Sequence, residues 1–258
     1  MAISTFSTFY YGFEITDLNK YFNFDEGGGE LTAEIQIGAY TLTEMLVALK
    51  TAMDAAGANT YSPSIDRATR LVTIASTGNY SILLNTGTQK GSSPYSLLGL
   101  TSGVDTTSAL TYTGISQAGS EYTPQFWLQD FVDQNDYREK IDSKVNESAN
   151  GTIEVFNFGT RKFTQMSFKF ITDMAQDGHV IRNNPSGVSD CRAFLQEITT
   201  KNPVEFMVNL DDRNTYLKLV LGSTPSSSEG TGYKLIELVK NNLPNYYEIN
   251  NLKFRVFA

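Results

Sequence analysis

Few side chains in this sequence are of the types that commonly carry out chemistry. The 258 residues include one histidine, His179, and one cysteine, Cys191. A histidine acting as a general base needs a nucleophile beside it, and no sequence motif marks a partner for His179. Cys191 lies in the first turn of a predicted amphipathic helix, where a thiol can be activated, but only one histidine could serve as its base. We therefore expect both side chains to be structural.

One polar cluster has the oxygen ligands that hard cations prefer. Asp211 and Asp212 lie close to Asn209 and Asn214, between two predicted strands. The cluster lacks the ligand spacing and the terminal glutamate of a calcium-binding loop. Asp and Asn are also typical turn residues, so we interpret it as a turn.

A second acidic group, Asp130, Asp133 and Asp136, has the residue types of a metal site or a glycosidase carboxylate pair. Its spacing in a predicted loop favours a solvated surface instead. The Gly27–Gly29 run is not followed by the Lys-Ser/Thr pair of a phosphate-binding loop. We accordingly predict no catalytic residues, no metal and no cofactor, and a protein that is not an enzyme.

Charge and composition narrow the possible partners. The net charge is −8 and the sequence pI is about 4.8, so the surface repels phosphate and we expect no nucleic-acid binding. Apolar residues make up 40% of the chain and charged residues 19%, which is typical of a folded core. No apolar run approaches the roughly 20 residues that span a bilayer, and the first residues do not resemble a secretory signal. We expect that the protein does not associate with a membrane. We also expect that it is synthesised in the cytoplasm.

Hydrophobic periodicity predicts a mainly β fold with a few helices (α+β), in two β-rich units at residues 1–118 and 119–258. The clearest element of the first unit is a helix at residues 42–56. Thr41 and Glu44 form a capping-box pattern at its start, an apolar stripe follows at helical spacing, and Gly57 is placed to end it in the left-handed conformation. Ser93 and Pro94 predict a second, short helix.

Alternation predicts the strands of the first unit. Residues 61–66 and 71–76 form a predicted hairpin, and Thr77–Asn79 a predicted turn into a further strand at 80–85. The small polar stretch 116–123 is interpreted as the linker. In the second unit, strands at short spacing and a helix at 190–200 predict an antiparallel sandwich or barrel with one lateral helix.

Aromatic residues are abundant, with 14 tyrosines and 16 phenylalanines. We expect the phenylalanines to fill the core. Tyrosine and tryptophan at a surface supply anchors for protein interfaces. The residues expected to be exposed interface candidates are Tyr10, Tyr11, Tyr112, Tyr122, Trp127 and Tyr233.

Two groups of segments carry a resemblance to a known class of protein. The helix with its Thr-Leu-Thr-Glu-Met start (Thr41–Met45), the hairpin at 61–74 and Leu97–Leu100 are similar to segments of structural proteins of tailed bacteriophages and other viral particles. In the second half, segments at 159–163, 168–171, 194–198, 204–206 and 252–255 resemble β-sandwich modules of phage tail and baseplate proteins. Together these segments lie along most of the chain.

The resemblance implies a non-enzymatic virion structural protein: a tail, baseplate or fibre-attachment component that assembles into a homo-oligomeric ring. Its partners would be other copies of itself and neighbouring virion proteins. Its location would be the virion, after assembly in the host cytoplasm. Two alternatives remain open: a carbohydrate- or receptor-binding sandwich that uses Trp127 and surface tyrosines as stacking platforms, and a capsid decoration protein.

Overall fold

A computed structural model describes residues 8–101, 103–123, 138–147, 153–171, 191–200, 202–207, 215–222, 234–237 and 247–257. The described elements are antiparallel strands with two α-helices, so the predicted mainly β class is confirmed. The chain forms two compact units, Tyr10–Glu121 and the combination of Met1–Phe9 with Tyr122–Ala258. The sequence placed the boundary near residue 118 but assigned the first residues to the other unit. Strand pairing explains this difference, because β1 (Thr8–Tyr11) is a neighbour of β12 (Val204–Met207) in one sheet.

The Tyr10–Glu121 unit contains a two-stranded and a five-stranded sheet with one helix. Its elements are β2 (Phe13–Ile15), β3 (Tyr21–Asp25), β4 (Glu30–Glu34), β5 (Gly38–Tyr40), α1 (Leu42–Ala56), β6 (Tyr61–Asp66), β7 (Leu71–Ile82), a 3-10 turn at Lys90–Ser92, and β8 (Ala109–Thr113). The small sheet pairs β2 with β5. The larger sheet has the order β4-β3-β7-β6, and β8 also pairs with β7.

Helix α1 begins as the sequence predicts. The Thr41 hydroxyl accepts a hydrogen bond from the Glu44 amide, and the Glu44 carboxylate accepts one from the Thr41 amide. The apolar stripe is buried through Leu42, Met45, Leu49 and further residues. The helix ends at Gly57, but that residue is extended (φ −108°, ψ 177°), so the predicted left-handed cap is wrong. Its amide still closes the last turn on the Met53 carbonyl.

Strand β7 is longer than the sequence suggested. The predicted hairpin with β6 is confirmed, with Tyr61 opposite Ser76 and Asp66 opposite Leu71. The predicted turn at Thr77–Asn79 is wrong, because the Thr77 amide pairs with the Thr60 carbonyl and the strand continues to Ile82. The pairing of β7 with β8 changes register between Ala75 and Tyr80, so the Thr77–Asn79 segment is an irregularity within the strand and not a turn.

The predicted helix at Pro94 is also absent. The chain there makes a single turn in which the Leu98 amide bonds to the Pro94 carbonyl, and Gly99 (φ 69°) reverses it. Leu98 and Leu100 are nevertheless buried, whereas Leu97 is only half-buried.

The second unit is built on an eight-stranded sheet of order β10-β11-β15-β13-β12-β1-β9, with β14 also on β15. The further strands of this sheet are β9 (Ser120–Tyr122), β10 (Arg138–Glu147), β11 (Ile153–Ile171), β13 (Tyr216–Leu221), β14 (Lys234–Glu237) and β15 (Tyr247–Phe257), and the described helix of the unit is α2 (Cys191–Thr199). Strand β9 lies inside the stretch predicted as a linker. Residues Ile153–Ile171 form the single strand β11, and α2 confirms the helix predicted at 190–200.

Aromatic rings form the core of this unit. The Phe9 ring lies 4.6 Å from the rings of both Phe194 and Phe206, measured between centroids, and 6.0 Å from that of Phe254. All four side chains are at most 1% exposed, so the prediction that phenylalanine fills the core holds here.

Candidate functional site

Several residues considered for chemistry lie outside the described part of the chain. They are His179, Asp130, Asp133, Asp136, Asn209, Asp211, Asp212 and Asn214, together with the interface candidates Trp127 and Tyr233. Cys191 is described and is fully buried at the start of α2, in agreement with the structural interpretation of this thiol. In the Gly27–Gly29 turn, the amides of Gly27 and Gly29 donate to Oδ1 of Asp25, so the turn's own carboxylate occupies them.

Three of the expected interface tyrosines are core residues. Tyr10, Tyr11 and Tyr122 are 2%, 4% and 1% exposed, so the expectation that they are surface anchors is wrong. The Tyr10 hydroxyl donates to the Arg67 carbonyl at 2.9 Å, and the Tyr122 ring stacks on Phe194 at 4.9 Å. Alternation in the sequence did not reveal the burial of Tyr10 and Tyr11, because every residue of β1 is buried and both faces of the strand are covered.

Tyr112 is the remaining described candidate, and it is partly exposed on β8. It lies opposite Ile74 of β7. Burial raises the pKa of its hydroxyl. Of the tyrosines expected to be exposed, this one alone among the described residues keeps a surface position.

The Glu26 carboxylate ties three segments of the Tyr10–Glu121 unit together. It accepts hydrogen bonds from the amides of Ala58 and Asn59 at 2.9 and 3.0 Å and from the Tyr61 hydroxyl at 2.8 Å. Burial opposes its ionisation, but these hydrogen bonds outweigh the burial and lower its pKa. An ideal Cβ at Gly57 would lie 2.3 Å from Oε1 of Glu26, so this glycine makes room for the carboxylate.

A second polar network holds the segment after β7 against β3. Asn23 is fully buried; its amide donates to the Tyr95 hydroxyl at 2.9 Å, and that hydroxyl donates to the Asn23 carbonyl at 3.0 Å. Glu30 accepts from the Thr88 amide at 2.8 Å and from the Asn23 side chain. Asp105 accepts from the amides of Asn85 and Thr86. These groups hold the loops in place, because their acceptor oxygens bind amides of the protein's own backbone.

Arg70 is a buried cation in an unusual backbone conformation. It has φ 57°, is 3% exposed, and hydrogen-bonds to the Gln117 side chain and to the Gly119 carbonyl at 3.4 Å. Its Nε lies 3.5 Å from the Glu121 carboxylate. The strained residue thereby holds residues 117–121 against the end of the β6–β7 hairpin.

An open depression of about 570 Å³ lies beside the 3-10 turn. Leu84 and Leu100 contribute apolar surface to it, and Lys90, Ser93, Ser96 and Thr101 also line it. Two of the lining hydroxyls have partners within the protein: the Ser93 hydroxyl donates to the Lys90 carbonyl, and that of Thr101 pairs with Ser116.

Strand β8 is the feature of this unit best placed for an interaction with another chain. Among the described strands it pairs with β7 alone, so its other edge carries backbone groups directed away from the sheet. Leu110 on this strand is 52% exposed, and Ile115 just after it is 67% exposed. An open edge with exposed apolar side chains is a common site of strand addition.

Within the described residues there is no group of three or more His, Cys, Asp or Glu side chains suited to a metal ion. Helices in the same part of the chain are too short or too polar to cross a membrane. The sequence matches no model of a protein family, and a comparison with curated proteins finds no significant match.

Proposed function

We propose that this chain is a non-enzymatic structural subunit of a virus particle, in the tail, baseplate or fibre-attachment region, and that it assembles with copies of itself. The observation that carries the proposal is the β8 edge, which pairs with no second described strand and carries the exposed Leu110. The resemblance to phage structural proteins supplies the particle context. A structural subunit needs a stable framework and surfaces that bind its neighbours.

The polar side chains support a structural role for the Tyr10–Glu121 unit. Glu26, Glu30 and Asp105 are bound to amides of turns and loops, and Arg70 to residues 117–121. Charged groups used in this way hold connecting segments in one conformation. A preformed surface loses less conformational entropy when it binds a neighbour.

Exposed aliphatic side chains provide contact points beyond β8. Leu18 is 80% exposed in a turn fixed by the Asn19 side chain, which accepts a hydrogen bond from the Thr16 amide at 2.6 Å. Val104 is 67% exposed. Apolar groups held at the surface release water when a partner covers them.

Two measurements test the proposal. Mass spectrometry of purified virus particles should find the chain at a stoichiometry of many copies, and electron microscopy of the purified protein should show rings or larger assemblies. A chain that is missing from purified particles and remains monomeric at high concentration would contradict the proposal.

The depression beside the 3-10 turn favours one alternative, a glycan-binding module. Its lining combines the apolar side chains of Leu84 and Leu100 with the hydroxyl of Ser96, groups that can contact the apolar and polar parts of a sugar ring. A glycan array with wild type, Ser96→Trp and Trp127→Ala separates the possibilities. Binding lost in the Ser96→Trp variant places a sugar in the depression, and loss in Trp127→Ala alone places it elsewhere. An array without binding removes this alternative.

A further inference from the structure

The five-stranded sheet has three outer strands, β4, β6 and β8, and they differ in their ability to accept another strand. Open edges invite pairing with other chains, and proteins commonly block them with proline, charge or local cover. The comparison of the three edges within one unit shows which of them is available.

The β6 edge is blocked. The Thr77 amide bonds to the Thr60 carbonyl, so residues 61, 63 and 65 direct their backbone groups away from β7. The Tyr61 amide is already bound to Oδ1 of Asp54 at 2.7 Å. Residue 63 is a proline, which has no amide hydrogen to offer.

The β4 edge is charged. The Ile35 amide bonds to the Lys20 carbonyl, so Glu30, Thr32 and Glu34 direct their backbone groups outward. Glu30 and Glu34 thus lie at outward positions, and Lys20, bound to Glu34 at 2.7 Å, offsets only one of these two carboxylates, in a chain whose net charge is −8. A second copy approaching here would bring like charges together.

Within the described part of the chain, the β8 edge is covered by no further strand and has neither a proline nor a charged residue of its own. The Gly114 amide bonds to the Val72 carbonyl, so the inward positions are 112 and 114, and Thr111 and Thr113 direct their amides and carbonyls outward. The five residues Ala109–Thr113 include no proline and no charged side chain. We propose that this edge binds the same strand of a second copy in antiparallel register, centred on Thr111.

The sequence of β8 is compatible with pairing to itself. With Thr111 opposite Thr111, the two outward-directed residues form a hydrogen-bonded pair, exchanging both amide-to-carbonyl bonds. Leu110 then lies opposite Tyr112 of the second copy, at a non-hydrogen-bonded position where side chains approach most closely. Aliphatic–aromatic pairs at such positions stabilise antiparallel sheets. Pairing of β8 with itself brings no carboxylates face to face. This is favourable because each copy has a net charge of −8 and the two copies repel each other as a whole.

This inference rests on the proposed self-assembly and specifies one contact within it. The contact is twofold and closes a dimer, so a ring would need a second, different surface. Five residues bury a small area, and we therefore expect a dimer that dissociates on dilution.

Sedimentation velocity over a range of concentrations tests the proposal. Wild type should shift from monomer to dimer as concentration rises. Leu110→Glu adds a carboxylate at the edge and should raise the dimer dissociation constant at least tenfold. Val104→Glu makes the same change at another exposed aliphatic residue, and its dissociation constant should equal that of wild type. Equal weakening by both variants would show a general charge effect and overturn the assignment.

Thr111→Pro removes an outward amide and leaves the β7 ladder intact, so it should also abolish the dimer. Ile65→Pro is the matched control on the blocked β6 edge. Circular dichroism melting establishes that each proline variant folds. If Thr111→Pro does not fold, the comparison of Leu110→Glu with Val104→Glu and the crosslinking below decide whether β8 forms the contact.

Crosslinking tests the register directly. Thr111→Cys places two thiols opposite each other across the twofold axis, within the Cα separation that a disulfide bridges. The native Cys191 is buried, so mild oxidation reports the new thiol. A disulfide dimer should form much faster than in Val104→Cys. Equal rates would overturn the register. Oligomers that persist in Leu110→Glu would overturn β8 docking and leave self-assembly standing, whereas wild type that stays monomeric would overturn both.

Discussion

The Tyr61 hydroxyl donates a 2.8 Å hydrogen bond to Oε1 of Glu26, a residue 35 positions earlier in the chain. The same carboxylate holds the two amides that follow α1. One side chain thus fixes the β3–β4 turn, the end of the helix and the start of β6 relative to one another.

Replacing this carboxylate should destabilise the protein. In Glu26→Gln an amide group must face the donors of Ala58, Asn59 or Tyr61, so at least one hydrogen bond is lost. We expect the free energy of unfolding in urea to fall by about 1 kcal/mol, a modest value because the site is partly solvated. Glu14→Gln, at an exposed position of β2, should change it little. A double-mutant cycle with Tyr61→Phe should reveal coupling, and additive effects would contradict the shared network.

Acid should weaken the fold through the same group. Hydrogen bonding lowers the pKa of Glu26 in the folded state, as it also does for Asp54 and Asp105 against the opposing effect of burial. The unfolded chain therefore takes up protons first as pH falls. The stability that these carboxylates contribute is fully present above their ordinary pKa values, near 4, and is lost as pH falls through their folded values. Urea unfolding at pH 7, 5, 4 and 3 should give a shallower slope for Glu26→Gln. Parallel curves of unfolding free energy against pH for wild type and Glu26→Gln would show that Glu26 does not contribute to the loss of stability in acid.

Alkali should weaken the fold through Tyr95. Burial raises the pKa of this hydroxyl to about 12. A raised folded-state pKa gives stability that is present below the unfolded value of about 10 and is lost as pH rises toward 12. Tyr95→Phe should flatten this decline, although it lowers stability at pH 7 because the Asn23 amide loses its acceptor. Tyr21→Phe is the control at a less buried tyrosine, and the two variants should differ in slope between pH 10 and 12.

Gly99 should tolerate no side chain. Its φ is 69°, and a Cβ there would lie 1.9 Å from the Ser116 carbonyl oxygen, a backbone atom that cannot move independently. We expect Gly99→Ala to lower the free energy of unfolding by more than about 2 kcal/mol, since strain and overlap add. Gly28→Ala, with no atom within 4 Å of the added methyl group, is the matched control and should be nearly neutral. Similar melting temperatures for the two variants would contradict the close approach of residues 99 and 116.

Local patterns were sufficient to predict the elements that are stabilised locally. The Thr41–Glu44 capping box and the apolar stripe of α1 are close in sequence, and so is the β6–β7 hairpin. The scarcity of reactive side chains was also visible without a structure. In each case the interacting groups are separated by a few residues, so spacing alone brings them together.

Tertiary structure decided which of these residues meet and which are exposed. Tyr10, Tyr11 and Tyr122 look like surface anchors by type, but neighbouring strands and rings cover them. Thr77–Asn79 has turn composition, yet pairing with Thr60 continues the strand. The position of β8 at the edge of the described sheet depends on strand order, which no single segment specifies. Burial and edge position arise from contacts between residues far apart in the chain, and therefore the sequence determined the local elements while only the assembled sheets determined the candidate interaction surface.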